Sequence, residues 1–264
     1  MEINTLLYCR DPKDVAGNWI FFDTIRKGFP KETINVYSNQ NTKEFDCVAL
    51  EKCQQINANF LPIENEIKHP NFIAALLQYN KNPFYVVDPD TIWFKEMPKD
   101  FTEAMAGRLI PDFYDVYSKS NTHKRIHTSV MWLNPEKIKT LLTTATWFEF
   151  DPINPCTYYL NNCLYRFDSL AKLYHFLVTK NACHEFTKKE NESFAHLFCG
   201  THLSIVGNEI KELELLHKKA STDKKFAMSL YDQQNQFFNG APWKTSQIEQ
   251  ELHPIDARSI PWNN

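Results

Sequence analysis

The chain has 264 residues and a formal charge of −3, with 29 Lys and Arg against 32 Asp and Glu. Its hydrophobic fraction of 43% is ample for one large core. The acidic balance and the lack of a basic block argue against a nucleic-acid binder held by phosphate contacts, and no apolar run is long enough to span a membrane.

The opening stretch MEINTLLYCRDPKD is charged within two residues and its apolar run is short, so it reads as neither signal peptide nor anchor. Seven cysteines, at 9, 47, 53, 156, 163, 183 and 199, form no CxxC pair, which fits a reducing, cytoplasmic setting. The six glycines build neither GxGxxG nor GxxxxGK(S/T). A protein that holds phosphates without those loops needs a metal or side chains to do it.

In chain order, NTLLYC (4–9) reads as a buried strand. Asp11-Pro12 then supplies a helix cap and first turn, and Val15, Trp19, Phe22 and Ile25 recur at helical spacing until Gly28-Phe29-Pro30 ends the run. TINVYSN (33–39) is a second strand and DCVAL (46–50) a short third. HPNFIAALLQYN (69–80), with Pro70 near its start, is a helix feeding the strand PFYVVDPD (83–90). EAMAGRLI (103–110) and TSVMWLN (128–134) are strand candidates, and PEKIKTLLTTAT (135–146) is a helix entered at Pro135. DSLAKLYHFLVTK (168–180) reads as an amphipathic helix capped by Asp168, and KKENESFAHLFCG (188–200) as another that ends at Gly200. Two short strands, THLSIV (201–206) and KELELLH (211–217), precede a last helix over about 223–238 with Phe226, Leu230 and Phe237 on one stripe. This rhythm predicts a single α/β domain, a mostly parallel twisted Rossmann-type sheet covered by helices on both faces.

The stretch FYVVDPDTIWF (84–94) carries the chemistry. Asp88 and Asp90 stand two apart at the end of a buried strand, so both can converge beyond its C-terminal edge, where open α/β sheets bind ligands. Two buried like charges need a neutraliser, and a hard divalent cation such as Mn²⁺ or Mg²⁺ is the natural one. An acidic turn closing a strand would use the same letters.

YVVDPDTIW resembles the DxD strand of nucleotide-sugar glycosyltransferases with the GT-A fold, and HTSVMWLNPEKI (127–138) resembles the strand and helix that follow it there. It departs from them at Thr128-Ser129, where Asn-Ala-Gly or a similar run is usual. The resemblance implies a metal-dependent transfer of a sugar from a UDP- or GDP-sugar to a glycan, glycoprotein or other hydroxyl acceptor. It implies a nucleotide-binding half over residues 1–100, an acceptor half over 101–240 and a tail over 241–264. DPDTIW also matches the nucleophile motif of haloacid-dehalogenase-type phosphatases, with Asp88 as nucleophile. That nucleophile normally sits on the first strand of its core, and no later acidic pair of the required kind follows. A non-catalytic binding module that keeps the GT-A fold is a further alternative.

In many GT-A enzymes a C-terminal His completes the metal shell beside basic residues on the diphosphate. His217, followed by Lys218 and Lys219, is the expected ligand, with His202 its competitor. Tyr8 is a candidate to stack on a base, Arg10 to reach a phosphate and Asn39 to contact base or ribose. Glu190 and Glu192 are candidates for the base that deprotonates an acceptor hydroxyl, although either would also suit a helix first turn; Asp112 and Asp115 are further candidates. Trp93, Trp132, Tyr114 and Tyr117 lie near the motifs and offer aromatic faces for sugar contact.

Overall fold

The computed structural model describes residues 1–8, 12–115, 119–142, 151–197 and 218–229, apart from the side chains of residues 12–19 and of Asp115. The first half alternates strand and helix: β1 (Glu2–Leu7), α1 (Pro12–Gly28), β2 (Thr33–Asn39), α2 (Lys43–Gln55), β3 (Asn59–Ile63), α3 (His69–Tyr79) and β4 (Phe84–Val87). Then come β5 (Thr91–Trp93), β6 (Met105–Ile110), β7 (Phe113–Asp115), β8 (Ser120–Thr122), β9 (Arg125–Leu133) and α4 (Pro135–Leu141). The remaining elements are β10 (Cys156–Leu160), β11 (Cys163–Phe167), α5 (Ala171–Thr179), β12 (Cys183–Glu185), α6 (Lys188–Asn191) and β13 (Phe194–His196), with helical turns at 218–222 and 224–229. No helix among the described residues is long and apolar enough to cross a membrane.

Seven strands form the main sheet in the order β12-β6-β9-β4-β1-β2-β3. Six run parallel and β9 alone is reversed, pairing antiparallel with both β4 and β6. The expected mostly parallel α/β sheet is therefore the one observed. Side-chain alternation along the strands sorts the core into two layers. Ile3, Leu7, Tyr85, Val87, Val130 and Trp132 pack with Phe21, Phe22 and Ile25 of α1 and Ala49 and Cys53 of α2. On the opposite face Leu6, Phe84, Val86, Met131 and Leu133 pack with α3, Ile138 of α4 and Leu173, Tyr174 and Leu177 of α5. Helices thus cover both faces. Because β1, β2 and β4 share a direction, Tyr8, Asn39 and Asp88 all lie at one end of the sheet.

Three expectations need correction. DCVAL is not a strand but the middle of α2: Val48 and Leu50 are exposed, and the buried pair Ala49 and Cys53 stands one helical turn apart. The true third strand, β3, lies at the sheet edge, where Pro62 is tolerated because an edge strand can lack a donor. The helix expected over 188–200 is a single turn, α6, after which the chain becomes β13; residues 198–200 lie outside the described set. Asp168 does not cap α5. The capping position is Leu170, in the left-handed region at φ 64°, and the Asp168 carboxylate pairs instead with Arg125 at 2.7 Å and Arg166 at 3.4 Å. The expected strands at 201–206 and 211–217, and the last helix beyond residue 229, lie outside the described residues, as do Val15 and Trp19 as side chains.

A small sheet, β10-β11-β8-β7, is built from segments that flank β9. A two-stranded ribbon, β13-β5, is the part that matters most for the site.

Candidate functional site

β4 is buried along its length, and its ladder with β9 continues one step past Val87, where the Asp88 N–H donates to the Ser129 carbonyl at 2.7 Å. Pro89 lacks a donor, so the pairing ends there and the chain turns into β5. β5 is fully buried and antiparallel to β13, with Trp93 opposite Phe194, Ile92 opposite Ala195 and Thr91 opposite His196. The Leu197 N–H donates to the Asp90 carbonyl at 2.9 Å and closes the ribbon over the acidic turn. Trp93 anchors it below, fully buried against Phe29, Phe194 and Gly28.

This pairing delivers His196 to the carboxylates. Its Nε2 lies 2.9 Å from Asp90 Oδ1 and 3.7 Å from Asp88 Oδ2. One ligand atom from each of Asp88, Asp90 and His196 lies within 4.8 Å of the other two. On the far side His69, the first residue of α3, places Nε2 3.5 Å from Asp88 Oδ1. Burial raises the Asp88 pKa and the Asp90 charge adds to that, while His69 and His196 pull it down. Burial opposes charging of His196, but Asp90 beside it overrides this and holds the imidazole above its ordinary value. His127 is buried with its ring 5.1 Å from that of His196; burial and the neighbouring His196, Arg125 and Arg108 charges push its pKa well below the usual range. Its Nδ1 accepts from the Ser129 N–H at 3.1 Å.

Two carboxylates and an imidazole, close enough to share one ion, form a donor set that could hold a divalent cation. His196 had no place among the sequence candidates, because the segment read as helix. Of those candidates, His217, His202 and Arg10 lie outside the described residues. Lys218 and Lys219 open the 218–222 helix and are exposed, with Lys219 Nζ 4.4 Å from the Phe226 ring centre. Tyr8 is part-exposed at the end of β1, its hydroxyl donating to Glu66 at 3.2 Å. Asn39 clamps the loop before α3, donating to the Ile67 carbonyl and accepting from the Ile67 N–H, both at 2.9 Å.

Glu190 is tied into a capping box with Thr187 and lies 3.0 Å from His184 Nε2. Burial opposes its ionisation, but His184 and the Thr187 N–H outweigh this and hold its pKa low. Glu192 instead lines a cleft of about 810 Å³ together with Arg108, Lys188, Lys224 and Lys225. Asp112 accepts from the Lys124 N–H at 2.9 Å, while Tyr117 and the Asp115 side chain lie outside the described residues. Trp93 and Trp132 are fully buried core residues, while Tyr114 is 51% exposed and is the accessible aromatic of that group among the described residues.

No protein-family model matches the chain, and no curated protein matches it. Among solved structures it is similar to a nucleoside-diphosphate-sugar pyrophosphorylase from Vibrio cholerae RC9, at 11% identity and a TM-score of 0.49 over 81% of this chain and 99% of that one. It is similar to the galactosyltransferase LgtC in complex with donor and acceptor sugar analogs, at 10% identity and a TM-score of 0.43 over 72% of this chain and 74% of that one. It is also similar to the mannosyltransferase PcManGT from Pyrobaculum calidifontis in complex with GDP-Man and Mn²⁺, at 9% identity and a TM-score of 0.42 over 87% of this chain and 73% of that one.

Proposed function

We propose that this chain is a GT-A-type glycosyltransferase that takes its sugar from a nucleoside-diphosphate sugar and requires Mn²⁺ or Mg²⁺. The observation that supports this most is the convergence of Asp88, Asp90 and His196 at the ligand-binding edge of a mostly parallel sheet. The bound cation would offset the charge that develops on a departing nucleoside diphosphate. The protein's part is to hold the three donors in register, which the β5–β13 ribbon does through the backbone. His196 within reach of both carboxylates favours this reading over one in which Asp88 is a phosphatase nucleophile.

In this reading residues 1–100 form the nucleotide half, with Tyr8 as the candidate to stack on a base, and residues 101–240 form the acceptor half. Lys218 and Lys219 supply positive charge to the diphosphate. Glu192 is the better placed of the two glutamates to take a proton from an acceptor hydroxyl of a glycan or glycoprotein, since the Glu190 carboxylate is occupied by His184 and Thr187. The free thiols of Cys47, Cys53, Cys156, Cys163 and Cys183 fit a cytoplasmic setting.

The test is product analysis with UDP- and GDP-sugars in the presence of Mn²⁺. Release of the nucleoside diphosphate, lost in EDTA and reduced about 100-fold or more by Asp90→Ala, is expected. Pyrophosphate as the product would instead mean nucleotidyl transfer. Hydrolysis of simple phosphate esters through an aspartyl-phosphate would restore the phosphatase.

A further inference from the structure

The two oxygens of the Asp88 carboxylate face different histidines. Oδ2 lies 3.7 Å from His196 Nε2, on the side of the donors close enough to share one ion, while Oδ1 lies 3.5 Å from His69 Nε2. The Asp88 backbone is pinned, since its N–H donates to the Ser129 carbonyl at 2.7 Å. That bond fixes the Cα but not the plane of the carboxylate, because χ2 of an aspartate is broad and roughly two-fold. A rotation about χ2 would carry the oxygen facing His196 out of line with Asp90. A metal-binding carboxylate therefore needs a partner on its second oxygen, and His69 stands where that partner is needed.

The fold holds His69 in place from several directions. α3 leads into β4, so its first turn lies at the end of the sheet where β4 stops. The loop before α3 is tied down at three points. Asn39 bonds both backbone groups of Ile67 at 2.9 Å, Gln40 donates to the Glu64 carbonyl at 2.8 Å, and Tyr8 donates to Glu66 at 3.2 Å. Within the first turn Pro70 fixes φ, and Phe72 is buried with its ring 5.0 Å from that of Tyr37. The imidazole thus stands on a rigid base, as a group that orients another group must. Its side chain is 30% exposed, so it is not a core residue and its replacement removes little packing.

We propose that His69 is a positioning residue for the cation site: its Nε2–H holds Oδ1 of Asp88 and so keeps Oδ2 turned toward the ion shared with Asp90 and His196. The assignment rests on the metal-dependent reading above. At 3.5 Å the contact is at the outer limit of a hydrogen bond, and it should shorten when the opposite oxygen takes a cation. The test is titration of the full chain with Mn²⁺, followed by electron paramagnetic resonance, for the wild type, His69→Leu and His69→Gln. His69→Leu has no donor and should weaken Mn²⁺ binding by about tenfold or more, while the melting temperature of the metal-free protein is kept. The amide of His69→Gln can donate to the same oxygen and should bring the affinity back to within about threefold of the wild type. Nitrogen couplings to the bound Mn²⁺ should be the same in all three proteins, since His196 rather than His69 is the ligand. Unchanged affinity in His69→Leu, no recovery in His69→Gln, or a nitrogen coupling lost with His69 would overturn the proposal. A loss of affinity matched by a lower melting temperature would make the role structural and overturn it as well. Each of those results leaves the metal reading standing, whereas a wild-type protein that binds no Mn²⁺ removes that reading and this assignment with it.

Discussion

Asp88 and Asp90 share a turn that is mostly closed off from water, and no isolated pair of carboxylates would ionise there without help. His196 gives part of that help in the ligand-free chain through its 2.9 Å contact with Asp90. A cation would take over the role and use the imidazole as a ligand. His196→Ala should therefore raise the Mn²⁺ concentration needed for nucleotide binding by about tenfold or more. His217→Ala, made beside it, discriminates between the two histidines: if only the His217 variant shows the loss, His196 is not the ligand.

Asp168 allows a prediction about pH. Burial would raise its pKa, but Arg125 and Arg166 outweigh burial and hold it below the ordinary carboxylate value. A depressed carboxylate contributes stability that is present above its unfolded pKa and is lost as pH falls through the lower folded value. Asp168→Asn should cost about 1.5–3 kcal/mol at pH 7, since the Arg125 guanidinium is buried and loses a charged partner. Denaturant titrations of both proteins should show that difference shrinking below about pH 4. A difference constant from pH 7 to pH 3 would contradict the assigned charge state.

Among the elements, the β5–β13 ribbon connects packing to chemistry. Its support is Trp93, and a Cβ at Gly28 would stand 2.6 Å from Trp93 Cε3. Gly28→Ala should destabilise the fold by about 1–3 kcal/mol, because the ring is fully buried and has nowhere to shift without moving β5. Mn²⁺ affinity should fall with it, as Trp93 and His196 lie on the paired strands. A stable Gly28→Ala protein with unchanged Mn²⁺ affinity would show that the ribbon does not depend on that contact.

The same ribbon explains where sequence reading stopped. β2, α3 and β4 are legible because period, entry proline and a polar stop agree locally. Asp88 and Asp90 are legible because they interrupt a buried strand. In the segment from Lys188 onward, Lys and Glu favour helix, and Phe194 and Leu197 stand at helical spacing. Only pairing with residues about a hundred positions earlier turns Phe194–His196 into a strand. No local signal records such a non-local choice, so His196 was hidden with it. α2 failed for the opposite reason: Val48 and Leu50 suggest a buried strand, yet they face water while smaller Ala49 and Cys53 pack inward.

At the scale of the whole molecule, β4 and β6 run in the same direction on either side of the one reversed strand, β9, so the acidic turn after β4 lies at the edge of the sheet where the other parallel strands also end. The central claim is that Asp88, Asp90 and His196 bind a divalent cation together with a nucleoside diphosphate. The most direct measurement is the melting temperature of the full chain with UDP or GDP alone, Mn²⁺ alone, and both. Only the combination should raise it, by roughly 5 °C or more at ligand about a hundredfold above Kd, and Asp90→Ala should abolish the rise. An equal shift from nucleotide without metal, or a full shift in the Asp90→Ala protein, would contradict the account.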